Sequence, residues 1–126
     1  MKYGYARCST QSQDLEIQRN ALLSAGCEVV REEKVSGTSL KGRSELNTLL
    51  EFLRKGDELV VTRIDRLARS MRDLQNIVYE LTEKGVHLSA TEQSINTSTP
   101  EGKCFLDMLG VFAEFETRLR HERQME

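Results

Sequence analysis

Two short segments of the chain combine arginines with a hydroxyl or a carboxyl group in a way that suits phosphate chemistry. In the first segment, Arg7 precedes Ser9 by two residues. In the second, Asp65 is followed by Arg66 and Arg69. A serine hydroxyl can attack phosphorus, and fixed guanidinium groups stabilise the negative charge that develops on the non-bridging oxygens. The two segments together predict phosphoryl transfer by a serine nucleophile held among arginines.

Both segments also have simpler interpretations, which these residues leave open. Serines are common in loops, so Ser9 could be an ordinary loop residue. Arg66 and Arg69 are three residues apart on a predicted helix, where Asp65 could pair with Arg69 on a solvated face. Taken alone, the second segment does not distinguish a phosphate site from a charged surface.

Other groups for catalysis or ligand binding are scarce. The acidic, histidine and cysteine residues show no metal-ligand spacing, so we expect no metal. Residues 8–12 do not form a Gly-rich phosphate loop, which argues against a nucleotide cofactor and against a small-molecule-binding domain. A cysteine nucleophile at Cys8 would need an arginine six positions later, where Asp14 stands, so we interpret Cys8 as a small core residue. We interpret His87 and His121 as structural histidines.

The elements that would position these segments alternate between strand and helix. Four short apolar runs predict strands, over residues 2–7, 27–30, 58–62 and 86–90. Three amphipathic stretches predict helices, over residues 14–25, 44–55 and 65–84, each followed by a glycine. This alternation indicates an α/β domain with a mostly parallel central sheet flanked by helices. Because ligands bind at the carboxyl ends of parallel strands, we expect both segments at one edge of the sheet.

A long C-terminal helix is predicted after residue 98. Thr99 is the expected N-cap and Pro100 the first helical residue. Apolar side chains surround much of this helix, at Phe105, Leu106, Met108, Leu109, Val111, Phe112, Ala113 and Phe115. One face can cover the sheet, and the rest predicts contact with a second subunit; deep burial in its own domain is the alternative. We expect residues 1–100 to form the domain core and 101–126 to begin a helix that continues beyond Glu126.

Composition limits the remaining classes of protein. The chain has 126 residues with 18 basic and 20 acidic side chains, a formal net charge of −2, and 38% hydrophobic residues. That length supports one domain, and no apolar run approaches a membrane span. The odd cysteine count, at Cys8, Cys27 and Cys104, fits a reducing cytoplasm. The slightly acidic balance argues against binding nucleic acid over the whole surface, so residues 1–126 alone should bind DNA weakly.

Four motifs along nearly the whole chain resemble the serine recombinase family, the DNA resolvases and invertases. They are Gly4–Thr10, Val35–Gly37, Asp65–Arg69 and Phe112–Glu116. The resemblance covers the resolvase-like catalytic domain and the beginning of its long connecting helix. This chain departs from the family pattern at Cys8, often aliphatic there, and at Thr117, where an arginine often follows the acid.

The resemblance implies a reaction and assigns residues to it. Ser9 matches the nucleophile that attacks a DNA phosphodiester, leaving a 5′-phosphoserine link and a free 3′ hydroxyl. Arg7, Arg66 and Arg69 match the arginines that hold the scissile phosphate. Asp65 matches the acid within the second motif. Rejoining reverses the attack, so no ATP is required.

Further site residues follow from the same resemblance. Gln13 and Gln18 match supporting glutamines in the first loop and helix. Glu33 and Arg43 match charged positions that flank a mobile loop, which the sequence predicts over residues 32–43. The serine proton has no assigned acceptor, since Asp65, an arginine acting through water, and the phosphate itself all remain candidates.

The implied activity is site-specific DNA recombination on double-stranded DNA. Four subunits, formed from homodimers that meet as a tetramer, would cut and exchange two duplexes. A helix-turn-helix domain beyond Glu126 would read the DNA sequence, and accessory DNA-bending proteins are compatible partners. The alternative is a non-catalytic, recombinase-like interaction module that regulates DNA complexes. The presence of Ser9 together with Arg7, Arg66 and Arg69 argues against it.

Overall fold

Strands and helices alternate along the chain in the computed structural model, which describes residues 1–8, 12–34, 44–68, 70–93, 95–105, 107–108, 110–111 and 118. The elements are β1 (Lys2–Cys8), α1 (Ser12–Ser24), β2 (Val29–Lys34), α2 (Ser44–Phe52), β3 (Glu58–Val61), a 3₁₀ turn (Ile64–Arg66), α3 (Met71–Lys84) and β4 (His87–Ala90). The predicted α/β class is confirmed.

The described strands form one parallel sheet in the order β2-β1-β3-β4. The chain therefore passes from β1 to β2 on one side and then crosses to β3 on the other. Strand β1 pairs with β2 along Tyr3–Cys8, but its pairing with β3 covers only Lys2–Gly4. The carboxyl end of β1 extends past its β3 partner at the topological switch point, where α/β sheets bind ligands.

Side chains of β1 alternate between two apolar clusters. Tyr3 and Tyr5 belong to the larger cluster, which includes buried residues of α2 and α3. Ala6 and Cys8 belong to the smaller cluster together with Leu22 of α1. Cys8 is only 3% exposed, as its interpretation as a core residue predicts. The sheet thus has helices packed on both faces.

Strand β2 lies later in the chain than predicted. The apolar run over residues 27–30 predicted the strand, whereas β2 is Val29–Lys34. The Cys27 N–H donates to Leu22 O at 3.1 Å, so Cys27 binds the C-terminal end of α1 and does not belong to β2. As an edge strand, β2 accommodates its charged residues. The predicted loop over residues 32–43 is therefore wrong for residues 32–34, and residues 35–43 lie outside the described part of the chain.

The third helix begins later than predicted. Residues 65–84 were expected to form one helix, but a separate 3₁₀ turn holds Asp65 and Arg66, and α3 begins at Met71. The Ser70 hydroxyl accepts a hydrogen bond from the Asp73 N–H at 3.0 Å and so caps α3. Asp65 and Arg66 therefore do not lie on α3, and Met71, its first residue, is exposed.

Smaller boundary differences leave the order of elements unchanged. Helix α2 ends at Phe52 rather than residue 55, and β3 ends at Val61 rather than residue 62. Gly85 ends α3 as predicted, with a φ of 74° and its N–H bonded to Leu81 O and Thr82 O.

The C-terminal helical segment starts as predicted. The Thr99 hydroxyl accepts from the Gly102 N–H at 3.1 Å, and residues 100–105, 107–108 and 110–111 are helical. A Cβ at Gly102 would lie 1.9 Å from Asn96 O, so only glycine allows this close approach. Residues 112–117 and 119–126, on which much of the predicted subunit contact depends, lie outside the described residues. None of the described helices has the length and apolar character needed to span a membrane.

Candidate active site

The two arginine-containing segments meet at the carboxyl end of β1. Arg7 Nη2 donates to the backbone oxygen of Asp65 at 2.8 Å. Arg66 Nη1 lies 3.5 Å from the backbone oxygen of Arg7. The structure therefore brings together two guanidinium groups, one from the end of β1 and one from the 3₁₀ turn that follows β3. Both contacts use carbonyl oxygens, which orient a guanidinium without cancelling its charge.

Gln18 binds the backbone of Arg7 from α1. Its Oε1 accepts from the Arg7 N–H at 3.2 Å, and its Nε2 donates to the Arg7 oxygen at 2.9 Å. The N–H and C=O of a strand residue point to the same side, and β3 does not pair with β1 at this position. The Gln18 side chain, 3% exposed, thus takes the place of a missing strand partner.

Asp14 links Gln18 to Arg66. Its Oδ2 accepts from Gln18 Nε2 at 3.2 Å and lies 3.0 Å from Arg66 Nη2. Because Arg66 also contacts the Arg7 oxygen, Arg7, Gln18, Asp14 and Arg66 form a closed ring of polar contacts, which we call the arginine network. Asp14 belongs to the first turn of α1. Its role in the network was not predicted from the sequence.

The 3₁₀ turn that carries Arg66 is held at its start and by its own side chains. The Ile64 N–H donates to Gln93 Oε1 at 2.8 Å, so the loop after β4 fixes the turn. The Asp65 carboxylate accepts from Arg63 Nε at 2.9 Å and is 63% exposed. The described partner of Asp65 is therefore Arg63, whereas Arg69, its predicted partner, lies outside the described residues.

Glu33 makes a separate buried connection. Its Oε2 accepts from the Tyr5 hydroxyl at 2.6 Å, and its Oε1 accepts from the Glu45 N–H at 3.0 Å. The carboxylate is 6% exposed and lies at the N-terminus of α2, where a negative charge is favourable. Glu33 thereby ties β1 and β2 to α2, whose first residue, Ser44, follows Arg43 in sequence.

A surface ion pair fixes the helix that carries Asp14 and Gln18. Arg19 Nε donates to Glu32 Oε1, which joins α1 to β2. The hydrogen bond from Arg19 lowers the pKa of Glu32. The same hydrogen bond raises the pKa of Arg19. The pair reinforces the orientation of α1 over the end of the sheet.

Several predicted site residues lie outside the described part of the structure. Arg7, Gln18, Asp65 and Arg66 are described, and so is Glu33. The others are Ser9, Arg43 and Arg69, together with the side chain of Gln13 in α1. Ser9 follows Cys8, the last residue of β1, directly in sequence.

Sequence reasoning missed two residues that support the site, Asp14 and Gln93. The spacing of Asp14 and Gln18, four residues apart on a helix, is a signal that could have indicated their contact. Their link to Arg66 has no local signal. Among the described residues, no group of three or more His, Cys, Asp or Glu side chains could hold a metal ion. The chemistry that the described site supports is binding of an anion by guanidinium groups.

Comparison with known proteins gives a consistent result over the whole chain. Residues 2–126 match the family model "Resolvase, N terminal domain". Integrase-like protein y4lS of Sinorhizobium fredii is 61% identical over 125 residues, which are 99% of this chain and 68% of that protein. Serine recombinase gin of Escherichia phage Mu is 46% identical over 125 residues, covering 99% and 64%. A resolvase family site-specific recombinase from Streptococcus pneumoniae has a crystal structure that matches with a TM-score of 0.77 at 26% identity, covering 98% and 92%. The chain spans about two thirds of the length of these two curated relatives.

Proposed function

Because this chain belongs to the serine recombinase family through its resolvase N-terminal domain, we propose that it is the catalytic part of a site-specific DNA recombinase. The observation that carries the proposal is the meeting of Arg7 and Arg66 at the β1–β3 switch point. Ser9, the predicted nucleophile, comes two residues after Arg7 and directly after the last residue of β1 in sequence. This combination supplies an attacking hydroxyl and positive charge for a phosphodiester.

The proposed reaction exchanges one phosphate ester for another. Ser9 Oγ forms a bond to phosphorus and loses its proton, while the bond from phosphorus to the 3′ oxygen breaks. The 3′ oxygen takes the electron pair and a proton, and the 5′ phosphate remains on Ser9. Attack by a 3′ hydroxyl on that phosphoserine restores the phosphodiester and returns the proton to serine. The number of ester bonds is unchanged, which is why strand exchange needs no nucleotide hydrolysis.

The arginines stabilise the charge that builds up on the non-bridging oxygens. The described contact of the Arg7 guanidinium is with a carbonyl oxygen, so its charge remains available to an anion. Gln18 fixes the backbone of Arg7, which sets where β1 delivers the chain to Ser9. Arg69 and Gln13 complete the site by family resemblance. Fixed guanidinium donors act without reorganising during the reaction, which is the main source of electrostatic catalysis.

Two acidic residues act on the site through other groups. Asp65 supplies the backbone oxygen that orients Arg7, and its carboxylate holds Arg63. Glu33 binds the N-terminus of α2 and so restrains the chain immediately after Arg43. We assign both as positioning residues in the proposed reaction.

Double-stranded DNA is the proposed substrate, and further copies of the chain are the proposed partners. Phe105, Met108 and Val111 of the C-terminal helical segment are 47%, 53% and 67% exposed. Their apolar side chains support assembly of homodimers and, during strand exchange, of a tetramer. The remaining third of the relatives' length is where a DNA-reading domain would be supplied.

The test uses the full-length protein and a nicked duplex that carries its recombination site, because the nick traps the covalent intermediate. We expect wild type and the Ser12→Ala control to form an adduct, and Ser9→Ala to form none. Mass spectrometry should find a 5′-phosphate on the peptide that contains Ser9. An adduct in Ser9→Ala, or a 3′-phosphate link, would contradict the mechanism. DNA binding without an adduct in wild type would favour the non-catalytic module.

A further inference from the structure

The contact between Asp14 and Arg66 places a negative charge on a guanidinium that is proposed to bind the substrate. Asp14 Oδ2 lies 3.0 Å from Arg66 Nη2. We propose that Asp14 competes with the DNA phosphate for Arg66 and so weakens phosphate binding to the free site. This inference rests on the proposed function, in which Arg66 holds the scissile phosphate.

A carboxylate is a close chemical substitute for a phosphodiester at this position. Each carries one negative charge, and each accepts hydrogen bonds from the planar guanidinium group. A phosphate that binds Arg66 while Asp14 stays in place meets a like charge a few ångströms away, which is unfavourable. Binding of the phosphate to Arg66 therefore requires the ion pair to open or to share the guanidinium.

The surroundings of Asp14 keep it directed at Arg66. Gln18 Nε2 donates to the same Oδ2 at 3.2 Å, and Gln18 is itself fixed on the Arg7 backbone. Asp14 is thus held by a buried amide rather than by a mobile surface group. At the same time, the side chains of Asp14 and Arg66 are 29% and 36% exposed, so an incoming anion can reach the pair.

The two arginines of the network therefore differ in how readily each can bind an anion. The described contact of the Arg7 guanidinium is with a carbonyl oxygen, which does not offset its charge. Arg66 is oriented partly by a carboxylate and is neutralised in the free protein. Asp14 acts as a positioning residue that lowers the affinity for phosphate, and the charge of Arg66 becomes available only when the ion pair opens or shares the guanidinium with a phosphate.

The experiment measures binding of dimethyl phosphate, a phosphodiester without bases or a second charge. NMR spectra of the arginine Nε–Hε groups follow the titration in the 126-residue chain, and circular dichroism checks that each variant is folded. The variants are Asp14→Asn, Asp14→Ser and Arg66→Gln, together with the double variant Asp14→Asn/Arg66→Gln. Glu16→Gln is the matched control, because it removes the same charge from an exposed position of α1.

We expect Asp14→Asn to bind dimethyl phosphate about tenfold more tightly than wild type, and Asp14→Ser to show a similar gain. Glu16→Gln should change the affinity less than twofold. Relative to Arg66→Gln alone, the double variant should show no gain in affinity for dimethyl phosphate, because the competition is for Arg66.

Each contrary result has a separate meaning. If Arg66→Gln weakens binding but Asp14→Asn does not tighten it, the competition is absent and the proposed role of Arg66 stands. If the same gain persists in the double variant, Asp14 acts as a general surface charge and the inference is wrong. If Arg66→Gln leaves the affinity unchanged, Arg66 is not a phosphate ligand, and the proposed function fails at this residue together with the inference.

Discussion

The two ends of the sheet differ in the groups that contact their cations. At the amino end, the first two cations of the chain have carboxylate partners: the amino group of Met1 lies 3.4 Å from Asp57, and Lys2 Nζ lies 3.7 Å from Glu58. At the carboxyl end, Arg7 is bound to a carbonyl oxygen, and Arg66 shares its contacts between a carbonyl and Asp14. Within the arginine network, two guanidinium groups share one carboxylate, so the network has a surplus of positive charge.

This difference separates charges that serve the fold from charges that serve a ligand. An exposed ion pair satisfies both partners and contributes little free energy of unfolding. A guanidinium held by carbonyl oxygens is fixed in direction, yet its charge still needs an anion. The ion pairs of Met1 and Lys2 are therefore locally neutral, whereas the arginine network keeps a positive charge that can bind an anion.

The largest effect should come from exchanging the arginine at the carboxyl end. We expect Arg7→Gln to lower the rate of adduct formation on the nicked duplex by roughly a thousandfold, because a charge that stabilises the transition state is lost. Lys2→Gln, which removes a cation at the amino end, should leave that rate unchanged. Rates are measured by single-turnover gel assays at saturating DNA. Equal losses in the two variants would remove the distinction between the two ends.

The next largest effect should come from Gln18, which binds the backbone of Arg7 where β1 has no β3 partner. Gln18→Leu leaves the Arg7 N–H and C=O without their amide partner, so we expect the free energy of unfolding to fall by about 3 kcal/mol. Urea unfolding followed by circular dichroism measures the change. Gln75→Leu, at an exposed position of α3, is the control and should change stability by less than about 0.5 kcal/mol. A loss in Gln18→Leu no larger than in this control would show that water replaces the amide.

The reactivity of the Cys27 thiol tests the burial and the charges at the amino end of the sheet. Burial raises the pKa of Cys27 to about 11 from its ordinary 9.0, while nearby Lys2 lowers it and Glu58 raises it. At pH 9 the thiolate fraction should be about fiftyfold smaller than for an ordinary thiol, so iodoacetamide should modify exposed Cys104 far faster. Unfolded protein provides the control, with similar rates at both sites.

Charge variants sharpen that measurement. Lys2→Gln should slow modification of Cys27 further, and Glu58→Gln should speed it. Rates of Cys27 modification equal to those of Cys104 in the folded protein would contradict the raised pKa.

The smallest effect should come from the ion pair between α1 and β2. Arg19 lowers the pKa of Glu32, so the stabilisation it gives is present above the ordinary value of 4.5 and is lost as the pH falls below it. Glu32→Gln should therefore lower stability at pH 7 and have less effect at pH 3. Urea unfolding at both pH values tests this, with Glu51→Gln of α2 as the control. An equal loss at both pH values would assign the effect to packing.

Local sequence signals predicted the parts of the fold that local forces determine. The β1 and β3 runs, the stop at Gly85 and the start at Thr99 each depend on residues within a few positions. The helix predicted over residues 65–84 begins too early, because Ser70 caps α3 at its N-terminus. Ser70 followed by Asp73 three residues later is a typical capping pattern.

Long-range contacts account for what the sequence did not predict. β2 extends to Lys34 through charged residues, and Glu33 is buried there by contacts from β1 and α2. Arg7, Gln18 and Arg66 were identified by spacing and family resemblance, but Asp14 acts on a residue 52 positions away. Such a pairing exists only once the folded sheet has brought α1 and the 3₁₀ turn together.

Strand β1 continues past the last residue that pairs with β3, and this difference in length determines what contacts the end of β1. β3 stops pairing with β1 at Gly4, and beyond that point the side chains of Gln18 and Arg66 contact the backbone of Arg7. An insertion that lengthened β3 by one more dipeptide would offer Arg7 a backbone neighbour and expel both side chains. The short β3, which contributes no reactive group of its own, thus leaves the backbone of Arg7 to be bound by site side chains instead of by a neighbouring strand.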